Sequence, residues 1–412
     1  MRYPTLTQEN PHDVRPKIAA KASETVSETK EKVLNERSYI KSFKEEFLQD
    51  PLYAAIIENS WFQRLGGIAF LGVLAYSENR GVQDTRLDHS LGVGVLAYSF
   101  CKLNQLPKPL ERLFVSSALL HDIHHLPFSH TMEFALRNEM PDFSLASETE
   151  WIIGHAQAGE KSIADRLASF DIDPYSLPLF KKRMEQAAIF GRTHNVDTLE
   201  GIARASRVFF SDDQTAQDLP FEVLMVLSGA RHSEKPYLEC VATLDSFWHM
   251  KNKVYSEGIY SFNRILFERL FAYHLFHLCK RENILTHLTH FRDRDFFEMF
   301  EGLDQRLQEL WELTDSLTFH EKLSAASREV SLVFTTCDNE TDVTNSHSIL
   351  AAVRRFVVNE NKQLSFRFGA SWTNRYLLEP RNLIIHLSSR TINRIQEILG
   401  NPIQSLAPRS RV

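Results

Sequence analysis

The segment from Glu111 to Asp122, ERLFVSSALLHD, constrains the fold more than any other. Leu113, Phe114, Val115, Ala118, Leu119 and Leu120 leave almost no polar face, so a helix here must be packed on most sides. It closes on His121 and Asp122, two side chains whose burial is costly unless each finds a partner. Such a helix needs other helices around it, and the flanking sequence supplies them. After Leu52, Ala54, Ile56, Ile57, Trp61, Phe62, Leu65 and Ile68 recur at helical spacing. Leu91, Val93, Val95, Leu96, Tyr98 and Phe100 do the same between Ser90 and Leu103. Further helices are expected over 160–170, 198–208 and 262–278. Pro127 should stop the central helix, with Ser129 or Thr131 capping the next. Strand-like alternation is nearly absent, so 43–310 reads as one all-helical domain.

The two flanks differ from this core. Residues 1–42 are polar and rich in Lys, Glu, Thr and Ser, as expected for a flexible or solvated helical arm. After about 310 the texture changes: 329–336 (EVSLVFTT), 363–368 (QLSFRF) and 382–387 (NLIIHL) read as strands. Helix candidates lie near 349–358 and 391–399. The expected fold is therefore mainly α, an all-helical core followed by a smaller C-terminal α+β module over 311–412. With 43% hydrophobic residues the chain has the composition of a folded protein. A net charge of −6 argues against broad coating of nucleic acid but leaves room for a local basic groove. The four cysteines lie far apart with no CxxC pair, so neither a zinc ribbon nor a disulfide framework is indicated. No secretion signal and no apolar run of about 18 residues appear. The expectation is a cytoplasmic protein with no membrane partner.

A lone His-Asp pair arises by chance roughly once in a chain of this length and carries little by itself. Its setting carries more. His89 begins one apolar helix, Asp197 opens another, and His121 with Asp122 closes a third, so three helix ends are able to meet at one ion. A mixed imidazole and carboxylate set suits Mn, Fe or Zn, and Mg with added waters. Fewer protein ligands than coordination positions leave places for water and a phosphate oxygen. A divalent ion so held lowers the pKa of water and neutralises phosphate oxygens. The residues thus point to a metal-dependent hydrolase of a phosphate ester.

The same residues carry a family resemblance. RLDHSLGVGVLA, LLHDIHHLPFSH and NVDTLEGIAR resemble the H…HD…D signature of the HD-domain phosphohydrolases, in particular the branch of the dNTP triphosphohydrolases. WFQRLGGI, at Trp61 to Ile68, is similar to a helix of that branch, and the matching segments run from about Leu52 to Arg204. The resemblance implies His89, His121, Asp122 and Asp197 as metal ligands. Arg86 takes the place of a phosphate-contacting arginine, the alternative being an ordinary ion pair with Asp84 or Asp88. His125 and His130 match catalytic histidines, Glu133 an acidic partner for one of them, and His155 a further active-site histidine. A later basic and aromatic stretch survives loosely in Lys251, Lys253, Tyr255 and Tyr260. Asp88 and Glu200 read instead as surface or helix-cap charges, and His124 and His194 as incidental neighbours.

The departures concern substrate. Phe70 stands where the branch has a sugar-contacting glutamine, and Thr198 and Gly201 stand where it has a lysine and a tyrosine. The substrate expected is a nucleotide, of the dNTP or NTP kind, bound less firmly at its phosphates and sugar. Alternatives are a nuclease or phosphodiesterase acting on single-stranded nucleic acid or a cyclic nucleotide, and a non-catalytic scaffold that binds a protein through the C-terminal module. The resemblance also implies a homo-oligomer.

Overall fold

The computed structural model describes residues 37–79, 84–140, 142–157, 159–177, 196–210, 215–229, most of 243–316, and four strands and a helix between 330 and 400. A first group of helices, α1 (Arg37–Gln49), α2 (Pro51–Ile57) and α3 (Ser60–Arg64), leads into two 3-10 turns, Leu65–Gly67 and Gly72–Asn79. The long α4 (Arg86–Leu103) and α5 (Lys108–Leu119) follow, then α6 (His130–Glu139), α7 (Leu145–Gly154) and α8 (Ile163–Ala168). The remaining helical elements are α9 (Val196–Phe209), α10 (Thr215–Gly229), a π-turn at Val254–Ile259, α11 (Phe262–Arg281), α12 (Asp293–Met299) and α13 (Leu303–Asp315).

Two packing units place the site. In the first, α4 lies between α5 and α9, with α1 also against it. Here Val93, Ala97, Phe100, Val115, Leu119 and Leu199 are buried together. In the second, α11 packs on α6 and α13 through Leu266, Phe267, Leu270 and Phe271. The broad apolar surface expected of α5 is present, for Phe114, Val115, Ala118 and Leu119 are all buried.

Several boundaries differ from the sequence reading for local reasons. Helix α4 begins a turn early, at Arg86, because Thr85 and Asp88 form a capping box. Thr85 Oγ1 accepts from the Asp88 amide at 3.2 Å, and the Asp88 carboxylate accepts from the Thr85 amide at 2.9 Å. Helix α5 stops at Leu119, so His121 and Asp122 lie in the turn beyond it rather than in its last turn. Ser129 does precede α6, but its side chain makes no capping bond. Thr131 does not cap either: its hydroxyl accepts from the Val73 amide at 3.1 Å and donates to Glu268 at 3.2 Å.

The separate C-terminal α+β module is not supported. Among the described residues, β1 (Val330–Thr335) pairs antiparallel with β4 (Asn382–Leu387) and β2 (Val353–Arg355) with β3 (Leu378–Pro380), two ladders that share no strand. Val353–Arg355 is a strand where a helix was expected, and 363–368 lies outside the described residues. The expected boundary at 310 falls inside α13, and the final helix, α14 (Ser389–Leu399), packs back on α13 with Ile395, Ile398 and Leu399 buried. No described helix is long and apolar enough to cross a membrane.

Candidate metal centre

Three helix ends meet where the sequence places them. Arg86 and His89 stand three residues apart in the first turn of α4, hence on one face. His121 and Asp122 follow the end of α5, and Asp197 occupies the first turn of α9. The Nε2 atom of His89 lies 3.3 Å from Nε2 of His121 and 3.2 Å from Oδ1 of Asp197. His121 Nε2 lies 3.6 Å from that same Asp197 oxygen. Ligands about 2.0–2.2 Å from one ion stand roughly 3.0–3.6 Å from one another, so these three donor atoms are spaced as around a single divalent cation. Asp122 flanks them, with Oδ1 at 3.3 Å from His121 Nε2 and Oδ2 at 3.6 Å from His89 Nε2.

The tautomers are fixed by what the other ring nitrogens touch. His121 Nδ1 donates to the carbonyl of Ala118 at 2.7 Å, one of the terminal carbonyls of α5. His89 Nδ1 donates to the Glu200 carboxylate at 2.5 Å. Both partners only accept, so each Nδ1 carries a hydrogen and each Nε2 is the atom turned to the centre, where a bound ion would take the place of a proton. This is the arrangement a metal-binding imidazole needs, its far nitrogen anchored and its near nitrogen basic.

Glu200 was read from sequence as a surface or cap charge, and the structure corrects that reading. It is buried, binds His89, and accepts from Arg204, which also reaches Asp84 and the Asp88 carbonyl. Asp197, Glu200 and Arg204 are spaced i, i+3 and i+7 on α9, a polar stripe that was legible as a helical face. Gly92 lets α4 approach this stripe, since a Cβ there would stand 2.5 Å from a Glu200 carboxylate oxygen. Arg86 does not pair with Asp84 or Asp88. Its Nη1 donates to Asp122 at 2.8 Å, and its buried Nε has no protein partner. Asp88 serves as the capping charge expected of it.

Beside this set lies a second constellation. Glu133 Oε1 accepts from His125 Nδ1 at 2.5 Å, while Glu133 Oε2 accepts from His130 Nδ1 at 3.2 Å. His125 Nε2 lies 3.2 Å from Asp122 Oδ2, which brings the two groups side by side. His125 is buried, whereas the His130 side chain is 66% exposed, so His130 is the one a solute can touch. His124, with His125 and Glu133, offers a second trio of donor atoms within 4.8 Å, but there the His125–Glu133 pair is already hydrogen-bonded.

Electrostatics follow from the crowding. Burial alone would lower the His89 imidazole, but hydrogen bonds to Asp197 and Glu200 outweigh it and lift its pKa to about 9. Burial would raise the Asp122 carboxyl, yet His121, His125 and Arg86 hold it well below the usual carboxylate range. Asp197 and Glu133 are likewise held low by their histidines. Burial and the neighbouring His125 push His124 down to about 3, which keeps it neutral.

The centre opens into a cavity of about 390 Å³. Phe70, Arg86, His89, His130, Glu133, Asp197, Thr198, Gly201 and Tyr255 line it, together with Arg137, Glu268 and Arg269, which the sequence reading did not single out. Phe70 sits against His89 with ring centroids 4.8 Å apart and carries Arg86 over its face at 5.0 Å. Two expected residues are elsewhere. His155 is exposed and stacks on Trp151 at 4.4 Å, its Nδ1 committed to the Trp151 carbonyl, and it does not line the cavity. Lys251 is buried but does not line the cavity either, while Tyr255, four residues on, does. His194 lies outside the described residues.

Over 78 residues the chain is 42% identical to an uncharacterized protein of Methanocaldococcus jannaschii. That match covers 19% of this chain and 16% of the relative's length. An HD domain is found at residues 86–189, a segment that holds Arg86, His89, His121 and Asp122 and ends eight residues before Asp197.

Proposed function

We propose that this protein is a metal-dependent phosphohydrolase that cleaves a phosphate ester of a nucleotide, with dNTPs and NTPs the first substrates to test. One observation carries the reading: His89, His121 and Asp197 converge at 3.2–3.6 Å, with Asp122 beside them, at the wall of a cavity that also presents Arg86 and His130. The HD domain at 86–189 supports it, as HD domains belong to a superfamily of metal-dependent phosphohydrolase type.

His89, His121, Asp122 and Asp197 would hold the ion, which when bound lowers the pKa of water and neutralises phosphate charge. Mn, Fe, Zn and Mg all accept such donors. Arg86, which lines the cavity with one donor fixed by Asp122, would hold the phosphate. His125, clamped between Glu133 and Asp122, orients the Asp122 carboxylate. His130 has Nδ1 committed to Glu133, which leaves Nε2 to exchange a proton with the substrate or its water. Tyr255 supplies aromatic surface for a base, which favours a nucleotide over a simple phosphate monoester, while Phe70 backs His89 and Arg86.

The test is phosphate, pyrophosphate or triphosphate release by the full chain with Mn or Mg, against dNTPs, NTPs, nucleoside monophosphates and single-stranded nucleic acid. Release that disappears in His121→Ala and Asp122→Ala is expected. Degradation of the polymer with free nucleotides untouched would replace the nucleotide reading by a nuclease, and no release with any metal would overturn both.

A further inference from the structure

The cavity has two kinds of wall. On one side stand the first turns of α4 and α9, with Arg86, His89 and Asp197; on the other stand α6 and α11, which bring Phe134 and Arg137 next to Glu268 and Arg269. Arg269 is the unusual member. It is 8% exposed, yet its Nε has no hydrogen-bond partner, and its ion pair with Glu268 is loose at 3.9 Å. Its guanidinium stands over the Phe134 ring, 3.5 Å from the centroid. Glu268 divides its carboxylate: Oε1 accepts from Thr131 at 3.2 Å, while Oε2 faces Arg269 from 3.9 Å, beyond hydrogen-bond distance. A guanidinium that is always charged, buried and weakly paired is costly unless a further anion completes it. Contact with Phe134 fixes the fork in place, so less side-chain freedom is lost when an anion arrives.

We propose that Arg269, assisted by Arg137, forms a second anion subsite, so that the substrate is an organic phosphate carrying another anionic group besides the one at the metal centre. This rests on the phosphohydrolase reading above and adds a requirement that reading does not contain. Glu268 tunes the subsite: it competes for Arg269 when the cavity is free and yields it when the second anion enters. Leu71, Ile202 and Ile259, which also line the cavity, suit an uncharged spacer between the two groups.

Non-hydrolysable probes separate binding from turnover. The affinity of the Mn-loaded full chain is measured by titration calorimetry for propyl-, butyl- and hexylphosphonate, and for the propane-1,3-, butane-1,4- and hexane-1,6-diylbisphosphonates. At one or more chain lengths the bisphosphonate should bind about tenfold or more tighter than its monophosphonate, as one charge-assisted contact contributes. Arg269→Gln should abolish that gain, Arg269→Lys retain part of it, and Glu268→Gln increase it. The increase is a change that a damaged fold would not produce. Equal affinity for mono- and bisphosphonates at every length, or a gain that survives Arg269→Gln, would overturn the subsite. Monophosphonate binding that is absent, or unchanged in Asp122→Ala, would instead remove the metal-centre reading and the subsite with it.

Discussion

At the scale of single residues, the centre depends on atoms that never touch the ion. Glu200 fixes the His89 tautomer, so Glu200→Gln should weaken metal affinity about 10- to 100-fold, as measured by competition with a chelating dye. Gly92→Ala should act through the same contact. The new Cβ would stand 2.5 Å from a Glu200 carboxylate oxygen and 2.8 Å from its Cδ and Cγ, so Glu200 must give up His89 and Arg204, and metal affinity and melting temperature should both fall. His130→Gln should lower kcat by about 10²-fold with metal content retained, since a proton-exchanging group is lost and no ligand is. Much of this scale was legible in the sequence: His89, His121, Asp122, Asp197, Arg86, His125, His130, Glu133, Phe70 and Tyr255 all come to the centre or its cavity. His155 and Lys251 do not, because spacing along a chain says nothing about which side of a loop or helix faces inward. Glu200 reads as a surface or cap charge because a carboxylate three residues after Asp197 looks the same whether its helix face meets solvent or an imidazole.

At the scale of elements, the turn from His121 to Ser129 needs support from outside itself. Phe128 and Ser129 both adopt left-handed backbone conformations, at φ 56° and 50°, which side chains other than glycine rarely take. Two buried side chains hold the turn. Arg64 donates to the carbonyls of Ile123 and His125, and Asp293 at the start of α12 accepts from the amides of Phe128 and Ala69 and from the Tyr76 hydroxyl. Asp293 thereby ties the turn carrying His121, Asp122 and His125 to the segment that ends in Phe70. Burial outweighs those three hydrogen bonds and pushes its pKa up to about 6. Between about pH 4 and 6 the folded state therefore binds a proton that the unfolded chain has released. This group's contribution to stability is then largest below pH 4 and falls by up to about 3 kcal/mol as pH rises through 6. Asp293→Asn should flatten the urea-unfolding profile in that window while costing about 1–3 kcal/mol at pH 4 through the lost acceptor. A variant whose profile still parallels the wild type would show that another group titrates. No sequence pattern announces this tie, since Asp293 is 165 residues from Phe128.

At the scale of the whole molecule, the sequence shows that helices dominate but not how the C-terminal part relates to them. An amphipathic helix has the same pattern whether it covers its own small sheet or returns to an older core. Helix α14 returns, burying Ile395, Ile398 and Leu399 on α13, with Arg394 within 3.7 Å of Glu309. Ile395→Ala should therefore cost the helical core about 2–4 kcal/mol in denaturant unfolding. An autonomous module would leave the unfolding of the helical core unchanged. The core itself exists to bring α4, the end of α5 and α9 to one point, and the function proposed stands or falls with what that point binds. The most direct measurement is metal content after equilibration with Mn and gel filtration. About one tightly held ion per chain in the wild type, lost in both His121→Ala and Asp197→Ala, is the predicted result. A wild type that retains no ion, or variants that retain as much as the wild type, would contradict the account.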